Sequence, residues 1–449
     1  MFNIFNNNKP QNKISEKDRI KGALFGFFVG DALGVPVEFI NREELRKNRV
    51  TDMLEYGTHN QPKGTWSDDS SMVIATIDSL NNKKSIDYTD IMNNFLEWYK
   101  YAKYTPANDV FDIGNATALA LRKYNNNKNN FKCGGSDIYT NGNGSLMRIL
   151  PVSLYLHYTD DPIFDVVNNI SSMTHAHIYS IFSCIIYTIF INEYLTIEDT
   201  EKAYHSMQSL IKKVLEDNRN SIIGNLDDLK KVFNRVIYND ISKYKEIEIK
   251  STGYVIDSLE ASFWCLLTTN NYSDAVLKAV NLGDDTDTIA ALTGGLAGLI
   301  YGYNSIYPKW INSLQKKEYL DKLVENFISL IDYKKIKQTA TKDSWKTIDF
   351  DSFDTAECNI KLTDKQMENL KKGYIPKTME EHWFMYCDDI SINYYRSWTG
   401  IQIFKGHYKL IDGEYVIYAI DINKNKNEYN PETLENAINL FKDLIKASC

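Results

Sequence analysis

The stretch from Asn281 to Ile300 places the tightest constraint on how this 449-residue chain folds. Its first half carries three carboxylates and two hydroxyls between Asp284 and Thr288, and its second half consists almost entirely of small and aliphatic residues. A helix that is apolar on every face has to be buried in the centre of a protein. The chain must therefore hold a dense group of carboxylates at the mouth of a core helix, where an unpaired charge is costly.

Two explanations account for this acidic loop. Asp and Thr are favoured at helix starts, because they cap free N–H groups and because Asp complements the helix dipole. One such residue is enough for a cap, however, and the loop offers five. Mg²⁺ and Mn²⁺ prefer carboxylate, hydroxyl and water oxygens as ligands. We therefore favour a divalent-cation site over a cap alone.

The composition narrows the class of protein. A hydrophobic content of 43% with 24% charged residues is typical of a globular protein with a full core, and the net charge of −8 argues against a general nucleic-acid-binding surface. The six cysteines lack metal-binding spacing, and the N-terminus lacks the apolar segment of a signal peptide. The best apolar run, Cys184–Leu195, is broken by Asn192 and Glu193 and is too short to span a bilayer. We expect a cytoplasmic monomer with reduced thiols, no membrane association and no stable nucleic-acid partner.

A second acidic cluster stands at the start of another apolar-periodic segment. The sequence GTWSDDSSM (64–72) precedes VIATIDSL, and Ser67 with Asp68 and Asp69 would suffice as a helix cap. The cluster at 284–288 has the same design, which favours a shared role for the two clusters. Two helix starts that each offer hydroxyl and carboxylate oxygens would together supply the ligands of two divalent ions.

Residues 18–34 predict a helix with glycines at positions 22, 26, 30 and 34. A spacing of four puts these glycines on one face, which allows another helix to approach very closely. Asp31 lies inside this otherwise apolar segment, and Glu38 follows shortly after it. A buried Asp needs a partner, which is either a neighbouring helix end or a cation.

A glycine-rich and amide-rich stretch (134–148) precedes a third apolar helix. Glycines at a helix entrance let the backbone approach a ligand and direct N–H groups at an anion, although the spacing is not that of a Walker loop. A connector without a ligand and a core ion-pair role for Arg148 are the alternatives. His175 and His177 are a weak signal for a transition metal, so a ligand contact or a structural role is preferred for them.

The character of the sequence changes near residue 335. Before this point the chain is predicted to be helical, including 96–104 and 110–124. After a lysine-rich linker (336–351), aromatic and β-branched residues predominate in segments that are separated by turn residues. We predict helices near 364–372 and 432–446 and strands at 382–387, 390–398, 401–410 and 414–422. The fold class is therefore mainly α: a flexible N-terminus (1–17), an all-α domain (18–335) and a small α+β domain with an antiparallel sheet and unknown role (352–449).

Five motifs together resemble the ADP-ribosylglycohydrolase family and occur in that family's order. They are GALFGFFVGDALGVPVEF (22–39), GTWSDDSSM (64–72), GNGSLMR (142–148), THAH (174–177) and LGDDTDTIAALTGGLAGLIYG (282–302). The resemblance covers about the first three quarters of the chain. It implies an all-α fold with two divalent cations, Mg²⁺ or Mn²⁺, and a substrate that carries ADP-ribose on a protein, a nucleic acid or a small molecule.

The resemblance also implies roles for individual residues. The implied metal ligands are Ser67, Asp68, Asp69, Asp285, Asp287 and Thr288. Glu38 matches a glutamate implicated in catalysis, and Asp69 and Asp285 are the further catalytic candidates. The implied substrate-binding residues are Asp31, Gly142, Asn143, Gly144, Ser145, Met147, Arg148 and His175. Serine stands at positions 67 and 70 where threonine is common in the family, and its less restrained rotamer would weaken metal binding.

The resulting hypothesis is an enzyme that hydrolyses the N- or O-glycosidic bond between ADP-ribose and an acceptor. Glu38 or one of the aspartates would serve as acid or base at C1 of the ribose, and the amides at 142–146 would hold the pyrophosphate. A binding module that does not cleave ADP-ribose is disfavoured because all the carboxylates are present. A metal phosphohydrolase of a nucleotide pyrophosphate would release AMP instead of ADP-ribose. The sequence leaves the acceptor open.

Overall fold

The computed structural model describes residues 14–216, 226–376, 378, 380–411 and 413–448. The chain divides into two compact units, the first ending at Ile331 and the second beginning at Asp332. Of the predicted flexible N-terminus (1–17), residues 1–13 lie outside the described residues. The first helix begins at Glu16, with Ser15 as its cap.

Within its described residues the first unit contains helices and no strand. The last helix continues past Ile331 into the second unit. The helices are α1 (Glu16–Gly34), α2 (Arg42–Lys47), α3 (Asp68–Lys83), α4 (Tyr88–Tyr101), α5 (Asn115–Asn126), α6 (Leu150–Leu156), α7 (Ile163–Ser172), α8 (Ile178–Ile197), α9 (Thr200–Glu216), α10 (Leu226–Val232), α11 (Asn234–Ile237), α12 (Val255–Leu267), α13 (Tyr272–Val280), α14 (Thr286–Tyr301), α15 (Pro308–Ser313) and α16 (Lys317–Gln338).

Helices α1 and α14 form the centre of this unit and touch backbone to backbone. A Cβ atom added to Gly22 or Gly26 would lie 2.3 Å from a carbonyl oxygen of α14, and one added to Gly30 would lie 2.1 Å from another. Such distances leave no room for any side chain. Every residue from Thr286 to Ile300 is buried. The prediction that the glycine face of α1 receives a second helix, and that the apolar helix is central, is confirmed.

The loop before α14 is tied to the segment that follows α1. Gly283 and Asp284 have φ angles of 78° and 60°, which turn the chain sharply into the helix. The Asp284 N–H donates to the carbonyl of Ile40 at 2.9 Å, and the Asp284 carbonyl accepts from the Phe39 N–H at 2.7 Å. The acidic loop therefore lies directly beside Glu38.

Two helical segments are long and apolar enough to span a membrane by length and composition, Glu16–Val37 and Ile178–Ile197. Their apolar windows are 94% and 78% buried inside the protein. Burial of this extent is what core helices show, and both segments contribute to the main hydrophobic core.

The second unit is an antiparallel sheet with helices on one face. Its strands are β1 (Phe353–Leu362), β2 (Trp383–Cys387), β3 (Ser391–Arg396), β4 (Gln402–Ile411) and β5 (Glu414–Asn423), in the order β1-β5-β4-β3-β2. Helices α17 (Asp364–Lys372) and α18 (Leu434–Ser448) share a hydrophobic core with that face. The predicted fold class, mainly helical with a small C-terminal α+β part, is confirmed.

Four local predictions need correction. Strand β1 was not predicted, and the predicted linker (336–351) belongs to the second unit, where the Ile348 N–H donates to the Gly400 carbonyl at 2.7 Å. The predicted helix 110–124 begins only at Asn115, and the helix predicted to reach residue 104 ends at Tyr101. The intervening segment contains four residues with positive φ (Ala102, Tyr104, Asn108 and Asp112), a conformation that a right-handed helix cannot accommodate.

Candidate active site

The two acidic helix starts meet in the interior of the first unit. Ser67 caps α3, whose first residues are Asp68 and Asp69, while Asp285 stands at the N-cap position of α14. The hydroxyl of Thr288, in the first turn of α14, lies 3.5 Å from Oδ1 of Asp69. The two sequence clusters thus share one site, which holds all six predicted metal ligands: Ser67, Asp68, Asp69, Asp285, Asp287 and Thr288, none of them more than 9% exposed.

Asp31 connects α1 to the start of α3. Its carboxylate accepts the N–H of Ser67 at 2.9 Å and both the N–H and the hydroxyl of Ser70, at 3.0 and 2.6 Å. Asp31 is completely buried, so this geometry favours a role in orienting α3 over the predicted contact with substrate. One carboxylate oxygen from each of Asp31, Asp69 and Asp287 lies within 4.8 Å of the others, a grouping that could hold a metal ion.

Glu38 joins the site from the other side. One carboxylate oxygen from each of Glu38, Asp285 and Asp287 again lies within 4.8 Å of the others. Asp287 belongs to this group and to the group with Asp31 and Asp69. One of its oxygens, Oδ2, is buried and has no hydrogen-bond partner, while the other accepts the Thr288 N–H at 2.9 Å. Burial of a carboxylate oxygen without a hydrogen-bond donor destabilises the folded state, and a bound cation would offset this cost.

Two residues that sequence reasoning missed complete the cluster, Asp112 and His59. Oε2 of Glu38 lies 2.5 Å from Nε2 of His59, and these two residues form a third group with Asp112 within 4.8 Å. Asp112 has a φ of 57° and lies in the loop before α5. No motif pointed to either residue. The one available signal for Asp112 was the set of turn-forming residues around it, Asn108, Asp109 and Gly114, which is more typical of a loop than of a helix.

Burial and mutual repulsion raise the pKa values of these carboxyls above their ordinary range. Burial, followed by the charges of Asp112, Asp285 and Asp68, raises the pKa of Glu38 to about 10. Burial also raises the pKa of Asp112 to about 7 and that of Asp31 to about 6, the latter opposed by its bonds to Ser70 and Ser67. The pKa values of Asp68, Asp69 and Asp287 are raised well above the ordinary range, again chiefly by burial. The site thus brings seven carboxyls and two hydroxyls together. Oxygen atoms of these kinds are the ligands that hard divalent cations prefer.

The glycine loop reaches the carboxylate cluster through Asn143. The amide nitrogen of Asn143 donates to Oδ2 of Asp285 at 2.7 Å and to the Ser258 hydroxyl at 2.9 Å. Gly142 pairs with Tyr254 as an isolated bridge, and a Cβ on Gly144 would lie 2.8 Å from Cε1 of His175. The structure therefore places the predicted substrate loop beside the predicted metal ligands.

Three predicted substrate-binding residues of this loop turn their side chains into the core instead. The Ser145 hydroxyl accepts from Ser171 at 2.9 Å, and Met147 is 3% exposed. The guanidinium of the fully buried Arg148 donates to the carbonyls of Gly144 and Ile170 and lies over the ring of Phe95. These side chains support the loop, so a ligand would meet its backbone.

His175 is also buried, next to the glycine loop. Its Nδ1 lies 2.7 Å from the Thr174 hydroxyl. Burial, with the charge of Arg148, lowers the pKa of His175 to about 3, so the ring is neutral at physiological pH. A neutral imidazole beside Gly142 and Gly144 is suited to hydrogen bonding with a ligand hydroxyl and carries no charge for ion pairing.

Comparison with known proteins identifies what this arrangement resembles. The model of the family described as ADP-ribosylglycohydrolase matches residues 12–336. The chain is 33% identical over 313 residues to the ADP-ribosylarginine hydrolase Tri1 of Serratia proteamaculans, covering 69% of this chain and 78% of the relative. It is 26% identical to the ADP-ribosyl-[dinitrogen reductase] glycohydrolase of Rhodospirillum rubrum, covering 68% and 92%. A solved ADP-ribosylglycohydrolase-related protein complex aligns with a TM-score of 0.58 at 25% identity, covering 70% of this chain and 99% of that chain.

Proposed function

The chain belongs to the ADP-ribosylglycohydrolase family of hydrolases, and we propose that it cleaves the N-glycosidic bond between ADP-ribose and the guanidino group of an arginine residue. The arginine acceptor is supported by two relatives named ADP-ribosylarginine hydrolase, from Serratia proteamaculans and Pseudomonas putida, at 33% and 31% identity.

The observation that carries the proposal is the convergence of the two acidic helix starts around Asp287. This residue belongs to one carboxylate group with Asp31 and Asp69 and to another with Glu38 and Asp285. We propose that the carboxylates of Asp68, Asp69, Asp285 and Asp287 and the hydroxyls of Ser67 and Thr288 would hold two divalent cations, Mg²⁺ or Mn²⁺. Such cations supply Lewis acidity and lower the pKa of a coordinated water.

Glu38 is the residue to which we assign proton transfer. One of its carboxylate oxygens lies within 4.8 Å of oxygens of Asp285 and Asp287, and it also forms a group with Asp112 and His59, so it borders the carboxylates of both acidic helix starts. As the bond between C1 of the ribose and the guanidino nitrogen breaks, Glu38 donates its proton to that nitrogen. Asp112 accepts a proton from the water whose oxygen bonds to C1. The products are ADP-ribose and an unmodified arginine side chain.

The exposed ring of Phe39, next to Glu38 in the chain, would receive the acceptor. Phe39 is 66% exposed and has a φ of 63°, a strained conformation for a bulky residue. The ring of His59 lies 5.9 Å from that of Phe39 and 5.0 Å from that of Phe111. An exposed aromatic ring next to carboxylates is a favourable surface for a guanidinium group. On the opposite side of Asp285, the glycine loop would hold the pyrophosphate.

The decisive experiment compares linkages and cations. The protein is incubated with ADP-ribosylated arginine peptide, ADP-ribosylated serine peptide and poly(ADP-ribose), each with Mg²⁺, Mn²⁺ or EDTA, and the nucleotide products are separated by chromatography. We expect intact ADP-ribose from the arginine peptide, no release in EDTA, and no release by a folded double variant Asp285→Asn/Asp287→Asn. Release of AMP would identify a phosphohydrolase, and binding of ADP-ribose with no product would identify a binding module. Either result would overturn the proposal.

A further inference from the structure

His59 stands on a turn that is built against the Glu38 segment. The turn is closed by paired backbone hydrogen bonds between Tyr56 and Gln61. A Cβ on Gly57, which has a φ of 47°, would lie 1.9 Å from the carbonyl oxygen of Pro36. The position therefore admits only glycine, and the turn touches the Glu38 segment with its own backbone.

Thr58 fixes the turn at two further points. Its N–H donates to the Pro36 carbonyl at 3.0 Å, and its hydroxyl donates to the Glu38 carbonyl at 2.7 Å. Thr58 is thus hydrogen-bonded to the carbonyls on both sides of position 37. The next residue of the turn, His59, therefore lies over the Glu38 side chain. Nε2 of His59 consequently lies 2.5 Å from Oε2 of Glu38.

The Glu38 side chain needs such a partner. A glutamate side chain has three rotatable bonds, and its hydrogen bond with Asp112 joins it only to another acidic side chain on a loop. Among the groups that the structure brings into carboxylate clusters within the described residues, His59 is the one residue that is not acidic. Its side chain is 13% exposed and is flanked by Phe39 and Phe111, so the ring itself has little freedom.

We propose that His59 is a positioning residue for Glu38: the turn 56–61 holds the imidazole so that its bond to Oε2 keeps the Glu38 carboxyl directed at the reacting centre. This inference rests on the proposed function, since it concerns the residue to which proton transfer is assigned. His59 does not touch the ribose or the leaving nitrogen. Its loss leaves the ligand-binding groups in place and removes the orientation of the acid.

The test uses the full chain and three variants. His59→Ala removes the bond, His59→Gln replaces it with an amide that can donate to the same oxygen, and Asn60→Gly is the matched control, because Asn60 is exposed on the same turn at a φ of 52°. Turnover is measured on whichever ADP-ribose linkage the unaltered protein cleaves fastest. Calorimetry gives the affinities for ADP-ribose and for Mn²⁺. Electron paramagnetic resonance of the Mn²⁺-loaded protein reports nitrogen in the coordination sphere.

We expect kcat to fall about 10- to 100-fold in His59→Ala, as for other losses of an orienting partner, with KM and both affinities changed less than about threefold. His59→Gln should recover part of kcat, and Asn60→Gly should match the unaltered protein. An unchanged kcat in His59→Ala would overturn the inference. A nitrogen signal from bound Mn²⁺ that disappears with His59, together with lost Mn²⁺ affinity, would overturn it as well, because His59 would then be a ligand. If the unaltered protein does not cleave the arginine linkage, the proposed function fails, while the ratio between variant and unaltered protein still decides the role of His59.

Discussion

The backbone of Gly34, at the end of α1, lies so close to the start of α14 that a Cβ at position 34 would fall 2.3 Å from Cα of Asp287. The shared carboxylate of the site is therefore positioned by a contact that no residue larger than glycine allows. The glycine face of α1 thus determines the fold of the core and the location of the candidate metal centre together.

Substitution Gly34→Ala tests this contact. The added methyl group forces α1 and α14 apart in a packed core, so we expect the melting temperature of the helical unit to fall by about 5 °C or more and Mn²⁺ affinity to fall by at least about 10-fold. Differential scanning calorimetry and titration calorimetry measure the two effects. Gly114→Ala is the control, since nothing lies within 4 Å of a Cβ there. Equal melting temperatures for the two variants would show that the helices are free to move apart.

Substitution Asp287→Asn separates stability from activity. The amide keeps the shape of the carboxyl but cannot ionise, and ionisation of Asp287 is unfavourable because the carboxyl is buried among other acidic groups and its Oδ2 has no hydrogen-bond partner. We expect turnover to fall more than about 100-fold, because a metal ligand is lost, while the melting temperature measured in EDTA stays equal or rises by a few degrees. A large drop in that melting temperature would contradict the view that the crowded carboxyls destabilise the cation-free protein.

Substitution Asn143→Ala tests the link between the glycine loop and Asp285. Its amide orients the carboxylate from outside the ligand set, and loss of such a partner costs about 10- to 100-fold in metal affinity. Ser258→Ala removes only the second bond of the same amide and should cost less. Mn²⁺ titration of both variants supplies the comparison. If Ser258→Ala weakened binding as much as Asn143→Ala, the bond to Asp285 would not be the cause.

The pH dependence of the cation-free protein follows from the raised pKa values. A carboxyl whose pKa is higher in the folded state binds its proton more tightly there, so its contribution to stability is complete below the unfolded pKa and is lost as pH rises through the folded value. That value is about 6 for Asp31 and about 7 for Asp112, so the melting temperature in EDTA should fall between pH 5.5 and pH 8. Differential scanning fluorimetry over this range measures it, with Asp112→Asn expected to show a shallower slope. A melting temperature that rises with pH would mean that the carboxyls are paired with cationic groups.

Features that depend on local composition were predicted correctly. The apolar run 289–300 and the glycine spacing of 22–34 fit only a buried pair of helices. A helix that is apolar on all sides has to be buried, and a face of glycines lets a second helix pack directly against it. Strands β2 to β5 were likewise predicted from aromatic and β-branched residues between turn residues, and helix α17 lies where a helix was predicted. Strand β1 was missed even though apolar and polar residues alternate from Ala356 to Leu362, because Asp, Glu, Asn and Lys, which are uncommon in strands, stand among them. Its pairing with β5 is a long-range contact.

The sequence by itself determined the family, the fold class and the two acidic helix starts, since these follow from motifs that are continuous along the chain. Only the tertiary structure decided that Asp112 and His59 join Glu38, that Asp31 accepts hydrogen bonds from the start of α3, and that Arg148 faces the core. These relationships connect residues from separate segments, and which side chains meet depends on where loops of strained backbone direct them. Periodicity and spacing carry no information about such loops, because their conformation is selected by the neighbours against which they pack.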